Sequence, residues 1–371
     1  MKTNAFIGIQ FFLLATSAAS QATTTTTSLK TSTTTAVSCS SNSPVVGGKF
    51  TYLGTNIDGF EWGTSTDGTQ DLSVVRPPLT RYGGQDGPGQ MRHFVKEGFN
   101  TFRLAVGWAY LTGGPATGTL NSANLAKFDE IVTACLNTGA YCIVDVHTYA
   151  RFNGRIIGQG GPSNSVFASL WTSLANHYKG NSRIIFDIMN EPHDVPSTAT
   201  WAQTVQAAVT AIRNTGASSQ IILLPGNGWQ SAASFLKDGS AEELLKVTNP
   251  DGSTANLVFN LHKYLDVDGS GSHAECVSNW INDGFAPIAN WLRCHSRTAM
   301  VTETGGGNVQ SCITYFCQLM TFLQKNSDVF LGVTGWGAAN MALDFATSMT
   351  PFPNGTDQLL VQRCYLPYAP S

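Results

Sequence analysis

The amino-acid sequence predicts an α/β fold, a (β/α)8 barrel, and three observations carry that prediction. Eight short β-rich runs recur along the chain, spaced widely enough to admit helices between them. The runs are continuously apolar rather than alternating, as expected of parallel strands buried on both faces. No composition break interrupts them between residues 39 and 371, so one large barrel with elaborated loops accommodates the whole alternation. A doubly wound open sheet is the rival architecture. It is disfavoured because no Gly-x-Gly-x-x-Gly turn follows the first run.

In chain order, residues 1–20 read as a secretion signal. Lys2 supplies the positive end, residues 5–15 are largely apolar, and Ala18-Ala19-Ser20 offers a cleavage site before Gln21. A membrane anchor is the alternative, but this apolar stretch is too short to span a bilayer comfortably, and no second long one follows. Residues 21–38 are dominated by Thr and Ser, have almost nothing to bury, and read as a flexible, O-glycosylated stalk. The folded domain then occupies residues 39–371. Its β-rich runs cover residues 50–57, 101–104, 141–147, 183–191, 221–225, 257–262, 298–303 and 329–336. Between them, residues 124–132, 201–212 and 313–323 place apolar side chains at spacings of three and four, the signature of helices packed on one face.

Composition narrows the partners. Charged residues make up 12% of the chain and the formal net charge is −3. Such a surface has no electrostatic grip on nucleic acid or anionic membranes, and it suits a neutral partner. Eight cysteines behind a secretion signal imply disulfides, with the pairing open. Cys135 and Cys142 are close enough to staple a helix end to the strand that follows. No Cys-x2-Cys pair occurs, so no metal is expected, and chemistry carried by carboxyl groups calls for no cofactor. A single sequon at Asn354-Gly355-Thr356 predicts a glycosylated, exposed loop. Nothing points beyond a monomer.

In a barrel of this kind the chemistry sits where strands end, at the C-terminal face. The polar or aromatic residues at those ends are Arg103, His147, Asn190, Glu191, His262, Tyr264, Glu303 and Trp336. Each has a packing explanation when taken alone: a structural ion pair for Arg103, core positions for the histidines and Tyr264. Their shared position on one rim is harder to explain as packing. Glu191 and Glu303 are the most informative, because an acidic side chain closing an apolar strand is costly to bury without a partner. Glu191 precedes Pro192, which biases its backbone toward the extended region. Glu303 precedes three glycines that allow a bulky ligand close to the backbone. Two carboxyl groups at one barrel mouth are the equipment of glycoside hydrolysis, a proton donor and a nucleophile or base. Trp336 and Trp229 are candidate platforms for the apolar face of a sugar ring, with Trp108 and Trp171 weaker ones.

At these residues the chain resembles glycoside hydrolase family 5, and within it the fungal endo-β-1,4-glucanases. The likeness rests on Phe102-Arg103-Leu104, on residues 141–147 ending in Asp145-Val146-His147, and on Met189-Asn190-Glu191-Pro192-His193. It continues through His262-Lys263-Tyr264 and Glu303-Thr304-Gly305-Gly306-Gly307. It implies a secreted, extracellular enzyme that cuts β-1,4-glucan with retention, Glu191 as acid/base and Glu303 as nucleophile, about 5–5.5 Å apart. It further implies that Arg103 and Tyr264 hold the nucleophile and that Asn190 contacts the sugar 2-hydroxyl. His147 and His262 would shape the subsite around the acid, Trp336, Trp229 and Lys263 would bind substrate, and Trp336–Gly337 would be a cis peptide. The disulfides implied are Cys135–Cys142, Cys276–Cys312 and Cys317–Cys364, which leaves Cys39 and Cys294 to pair. Fungal cellulases often tether a cellulose-binding module by such a stalk, and only the signal precedes it here. Relatives carry a cysteine pair where this chain has Thr64 and Gln70, and Asn and Trp where it has Thr148 and Phe152, so an outer subsite is expected to differ. An endo-β-mannanase or mixed-linkage glucanase on the same scaffold, or a non-catalytic wall-polysaccharide-binding protein, are the alternatives.

Overall fold

Eight parallel strands close into a ring whose spatial order follows their order in the chain. They are β1 (Tyr52–Phe60), β2 (Thr101–Val106), β3 (Tyr141–Val146), β4 (Ile184–Asp187), β5 (Ile222–Pro225), β6 (Leu257–Tyr264), β7 (Ala299–Gly305) and β8 (Phe330–Ala339). β8 pairs with β1 and completes the barrel. This is a computed structural model that describes residues 47–80 and 86–370, all within the unit Ser41–Ser371. The expected signal, the stalk and Cys39 lie outside the described residues, so the Cys39–Cys294 expectation does too.

Around the barrel run α1 (Gly87–Lys96), α2 (Ser122–Asn137), α3 (Asn164–Tyr178), α4 (Thr198–Asn214), α5 (Ser240–Leu244), α6 (Ala286–Cys294) and α7 (Gln310–Lys325). Helical turns at Val361–Tyr365 and Leu366–Tyr368 follow β8. The three helices expected from periodicity, α2, α4 and α7, extend outward by two to five residues at each end. Asn121, Ser163 and Ser197 each accept a backbone N–H of the first turn of α2, α3 and α4. No helix among the described residues is long and apolar enough to cross a membrane.

Side chains two residues apart on a strand share a face, which divides the barrel interior into layers. At its base Tyr52, Ile143, Ile185, Leu223, Val258 and Met300 form an apolar plug. Two residues further along β3, β4, β6 and β7 stand Asp145, Asp187, Asn260 and Thr302, all fully buried. Outside the ring, the strands and helices share a second, larger apolar layer that contains Trp108, Trp171 and Trp201. Trp108 and Trp171 are therefore core residues and not sugar platforms.

Two strand expectations are corrected. The fourth run stops at Asp187, and residues 188–191 leave the barrel as loop. Glu191 has φ 44°, in the left-handed region rather than the extended one. Its N–H is captured by Gln230 Oε1 at 2.5 Å and the Pro192 carbonyl by Trp229 N–H at 2.9 Å, so tertiary contacts override the local preference before proline.

Disulfides Cys135–Cys142, Cys276–Cys312 and Cys317–Cys364 form. Where relatives are expected to carry a cysteine staple, Thr64 and Gln70 form an antiparallel bridge instead. The Gln70 amide donates to the Phe60 and Trp62 carbonyls at 3.1 and 3.3 Å, and its oxygen accepts Tyr110 N–H at 2.9 Å. Thr148 and Phe152 are buried; Thr148 donates to Met189 Sδ and Phe152 packs edge-on against Trp108. Neither is among the residues that line the cleft.

Candidate active site

Arg103, on β2, is wholly buried and holds the site together. Its Nε donates to Asp187 Oδ2 at 2.8 Å, Nη1 to Asn56 Oδ1 at 3.0 Å and to Glu303 Oε1 at 2.5 Å, and Nη2 to Asn190 Oδ1 at 2.8 Å. Asp145 Oδ1 stands 3.1 Å from Nη2. Burial works against the guanidinium charge, yet the three carboxylates outweigh it and hold the cation firmly.

Glu303 is bound from both sides, by Arg103 and by the Tyr264 hydroxyl, which donates to Oε2 at 2.9 Å. Burial raises its pKa, while Arg103 and then Tyr264 among its neighbours pull it down. Those two donors favour the ionised form that a nucleophile needs. Glu191 has no cation of its own. Burial and then the Glu303 charge push its pKa well above the usual carboxylate range, with Arg103 only partly opposing. Burial leaves both carboxyl groups raised, Glu191 well above the usual range and Glu303 less so, because Arg103 and Tyr264 hold Glu303 directly. Oxygens of Glu191 and Glu303 and a His262 ring nitrogen all lie within 4.8 Å of one another.

Both histidines are buried and neutral. Burial drives His147 down to about 3 and His262 well below its ordinary value. His147 Nδ1 meets Asp145 Oδ2 at 2.8 Å, and its Nε2 faces the Asn190 amide at 3.1 Å. A carboxylate can only accept, so Nδ1 carries the proton and Nε2 accepts from Asn190. His262 Nδ1 lies 2.9 Å from Glu191 Oε1 and 3.7 Å from Glu303 Oε2.

These groups open onto a cleft of about 410 Å³ lined by His147, Glu191, Tyr264, Glu303, Trp229 and Trp336. Trp336 stacks on His147 at 5.5 Å, and its peptide bond to Gly337 is cis. Trp229 is 39% exposed and lies flat on His193, rings 3.8 Å apart. Asn190 sits just behind, 1% exposed. Lys263 is placed differently from expectation: it is buried, and its Nζ lies 4.0 Å from the Trp280 ring centroid rather than on the cleft wall.

Sequence reasoning did not single out Tyr149, Thr66 and the turn Asp268-Gly269-Ser270, which also line the cleft. Tyr149 could have been found by stepping two residues past His147. The others come from loops with no distinguishing pattern. Asp145 and Asp187 were also missed, although a lone acid inside an apolar strand is a readable signal.

Three clusters among the described residues could offer ligands to a metal: Glu191, His262 and Glu303; His93, Glu97 and Asp357; and Asp266, Asp268 and His273. In each, two of the donors already bond one another, at His262–Glu191 (2.9 Å), His93–Asp357 (2.7 Å) and His273–Asp266 (3.2 Å), so no metal is assigned.

Residues 63–340 match the model for cellulase (glycosyl hydrolase family 5). Endoglucanase EG-II of Hypocrea jecorina is 56% identical over 321 residues, covering 84% of this chain and 77% of that protein. The crystal structure of Cel5A (EG2) from Hypocrea jecorina superposes with a TM-score of 0.83 at 55% identity, covering 86% of this chain and 99% of that one. XacCel5A, solved in complex with cellopentaose, superposes with a TM-score of 0.77 at 29% identity over the same share of each chain. A closed parallel barrel, two unlike carboxyl environments on its rim, and these likenesses agree: the chain belongs to glycosyl hydrolase family 5, the cellulase family.

Proposed function

We propose that this chain is a secreted endo-β-1,4-glucanase that hydrolyses internal bonds of cellulose and related β-glucans with retention of configuration. Its membership of the cellulase family makes it a glycoside hydrolase. The retaining mechanism rests above all on one observation, the approach of Glu191 and Glu303 oxygens within 4.8 Å. Inverting enzymes keep the two carboxyl groups about 6.5–9.5 Å apart to admit a water between them.

In the first step Glu303 attacks the anomeric carbon while Glu191 gives its proton to the departing oxygen. The chain fragment beyond the cleaved bond leaves, and a glucosyl ester on Glu303 remains. Glu191, now ionised, takes a proton from water, whose oxygen displaces Glu303 and restores both carboxyl groups. Arg103 and Tyr264 steady the nucleophile, and the Asn190 amide has one proton left over for the sugar 2-hydroxyl. Trp336 and Trp229 offer flat faces to glucose rings on the cleft walls.

Export is supported by the signal-like residues 1–20 and the Thr/Ser stalk at 21–38. Asn354 is exposed in a turn, in keeping with glycosylation there. Proton NMR during cello-oligosaccharide hydrolysis should show the β-anomer as first product; α-anomer first would overturn retention. Glu303→Ala should lower kcat by at least about 10³-fold while substrate still binds. Parallel assays on carboxymethylcellulose and mannan should favour the former.

A further inference from the structure

We propose that Asp187, Asn260 and Thr302 form a one-way hydrogen-bond chain that fixes the tautomer of His262 and thereby keeps the catalytic proton on Glu191. The proposal rests on Glu191 being the acid. It makes the three residues positioning residues, since none of them touches substrate.

Polarity begins at Asp187. Its Oδ2 accepts Arg103 Nε–H at 2.8 Å, and its two oxygens accept the Asn260 amide at 2.9 and 3.0 Å. Only the carboxylate offers this all-acceptor pattern. The Asn260 amide nitrogen is thereby committed to Asp187, which turns its oxygen toward Thr302. That oxygen can only accept, so the single Thr302 hydroxyl proton goes to it, at 2.5 Å. Thr302 Oγ1 then has lone pairs alone to offer His262 Nε2 at 2.9 Å. Nε2 must therefore carry the imidazole proton, and the lone pair of the neutral ring falls on Nδ1. The Glu191 carboxyl oxygen 2.9 Å from Nδ1 must then be the donor.

The opposite tautomer would set a lone pair of Nε2 against those of Thr302 Oγ1, within a buried site where an unmade hydrogen bond is costly. All four intermediaries are at most 2% exposed, so water cannot rewire the chain. The backbone supplies the geometry. Strands β6 and β7 slip register between Leu261 and His262, so that Val301 pairs Leu261 but Glu303 pairs His262. Thr302 is the extra residue of this bulge, and the slip lets both its hydroxyl and Glu303 meet the same imidazole.

The charged and titratable groups facing Glu191 are Glu303 from β7, His262 and Tyr264 from β6, Arg103 from β2, Asp145 from β3 and Tyr149 from the loop after it. None of these changes in Thr302→Val. That substitution removes the acceptor of Nε2–H and frees the ring to protonate Nδ1 instead. An Nδ1–H donating to Glu191 favours its ionised form, so the acid loses its proton at lower pH.

The test compares kcat/KM against pH for wild type, Thr302→Val, Thr302→Ser and Glu191→Gln, on phenyl and 2,4-dinitrophenyl β-cellobiosides. With phenyl as leaving group, Thr302→Val should fall about tenfold and its alkaline limb should move down by about one pH unit. With dinitrophenol, which leaves unassisted, it should stay within about twofold, and Thr302→Ser should match wild type on both. An unmoved alkaline limb in Thr302→Val, with Glu191→Gln inactive on the phenyl glycoside, refutes the chain and leaves the acid assignment standing. Undiminished phenyl-glycoside cleavage by Glu191→Gln refutes the acid assignment and the chain with it. Nitrogen-15 NMR of histidine-labelled wild type needs no variant: the Nε2–H tautomer at His262 supports the chain, and an Nδ1–H ring or an imidazolium overturns it.

Discussion

Glu61 shows how much the buried rim depends on proton occupancy. It lies just past β1, 6% exposed, and its Oε2 accepts Gly59 N–H at 2.7 Å. Burial raises its pKa from 4.5 to about 8, and the Asp145 and Glu303 charges add to that while Gly59 opposes it. Because the folded value is the higher one, the native state binds this proton more tightly than the unfolded chain. Its contribution to stability is complete below pH 4.5 and is lost as pH rises through about 8. Glu61→Gln should therefore flatten the decline of Tm across that window, measured by calorimetry at stepped pH. A decline as steep as in wild type would refute the assignment. Catalysis runs on the same logic: activity should fail on the acid side as Glu303 gains a proton and on the alkaline side as Glu191 loses one.

At the scale of elements, the turn after β1 is held by a glutamine at a place where relatives are expected to carry a cysteine staple. Gln70 serves two carbonyls and one N–H from separate segments. Gln70→Ala should cost about 2 kcal/mol by urea titration, since it leaves those buried backbone groups short of partners. A change within about 0.5 kcal/mol would show that water replaces the side chain. Much at this scale was readable beforehand. All eight strands were visible as apolar runs, and His147, Tyr264 and Glu303 stand at or near strand ends, where barrel logic put them, whereas Arg103 lies three residues inside the end of β2. Glu191 was readable as a residue but not in its backbone, because φ 44° is imposed by Gln230 and Trp229, some forty positions away. The β6–β7 register slip was equally hidden, since no local pattern marks which strand of a parallel pair carries the extra residue. Lys263 was misplaced for a related reason: its neighbour Trp280 arrives from a loop with no periodicity.

For the whole molecule, the C-terminal segment is tied back by Cys317–Cys364, closing a loop of 47 residues from α7 to the turns after β8. Removing that link with Cys317→Ser and Cys364→Ser should lower stability by up to about 4 kcal/mol on the chain-entropy account. The expected readout is a lower urea midpoint with an unchanged pH optimum, because neither cysteine faces the cleft. A shifted optimum would mean that the link also shapes the rim.

Ring closure has a further consequence during biosynthesis. Neighbours of β1 are β2 and β8, so the first strand stays half-paired until the last has left the ribosome. Trp336 belongs to that last strand, and Glu303 to the one before it. A polypeptide cut short before β8 therefore lacks both the closed ring and the cleft wall that Trp336 supplies.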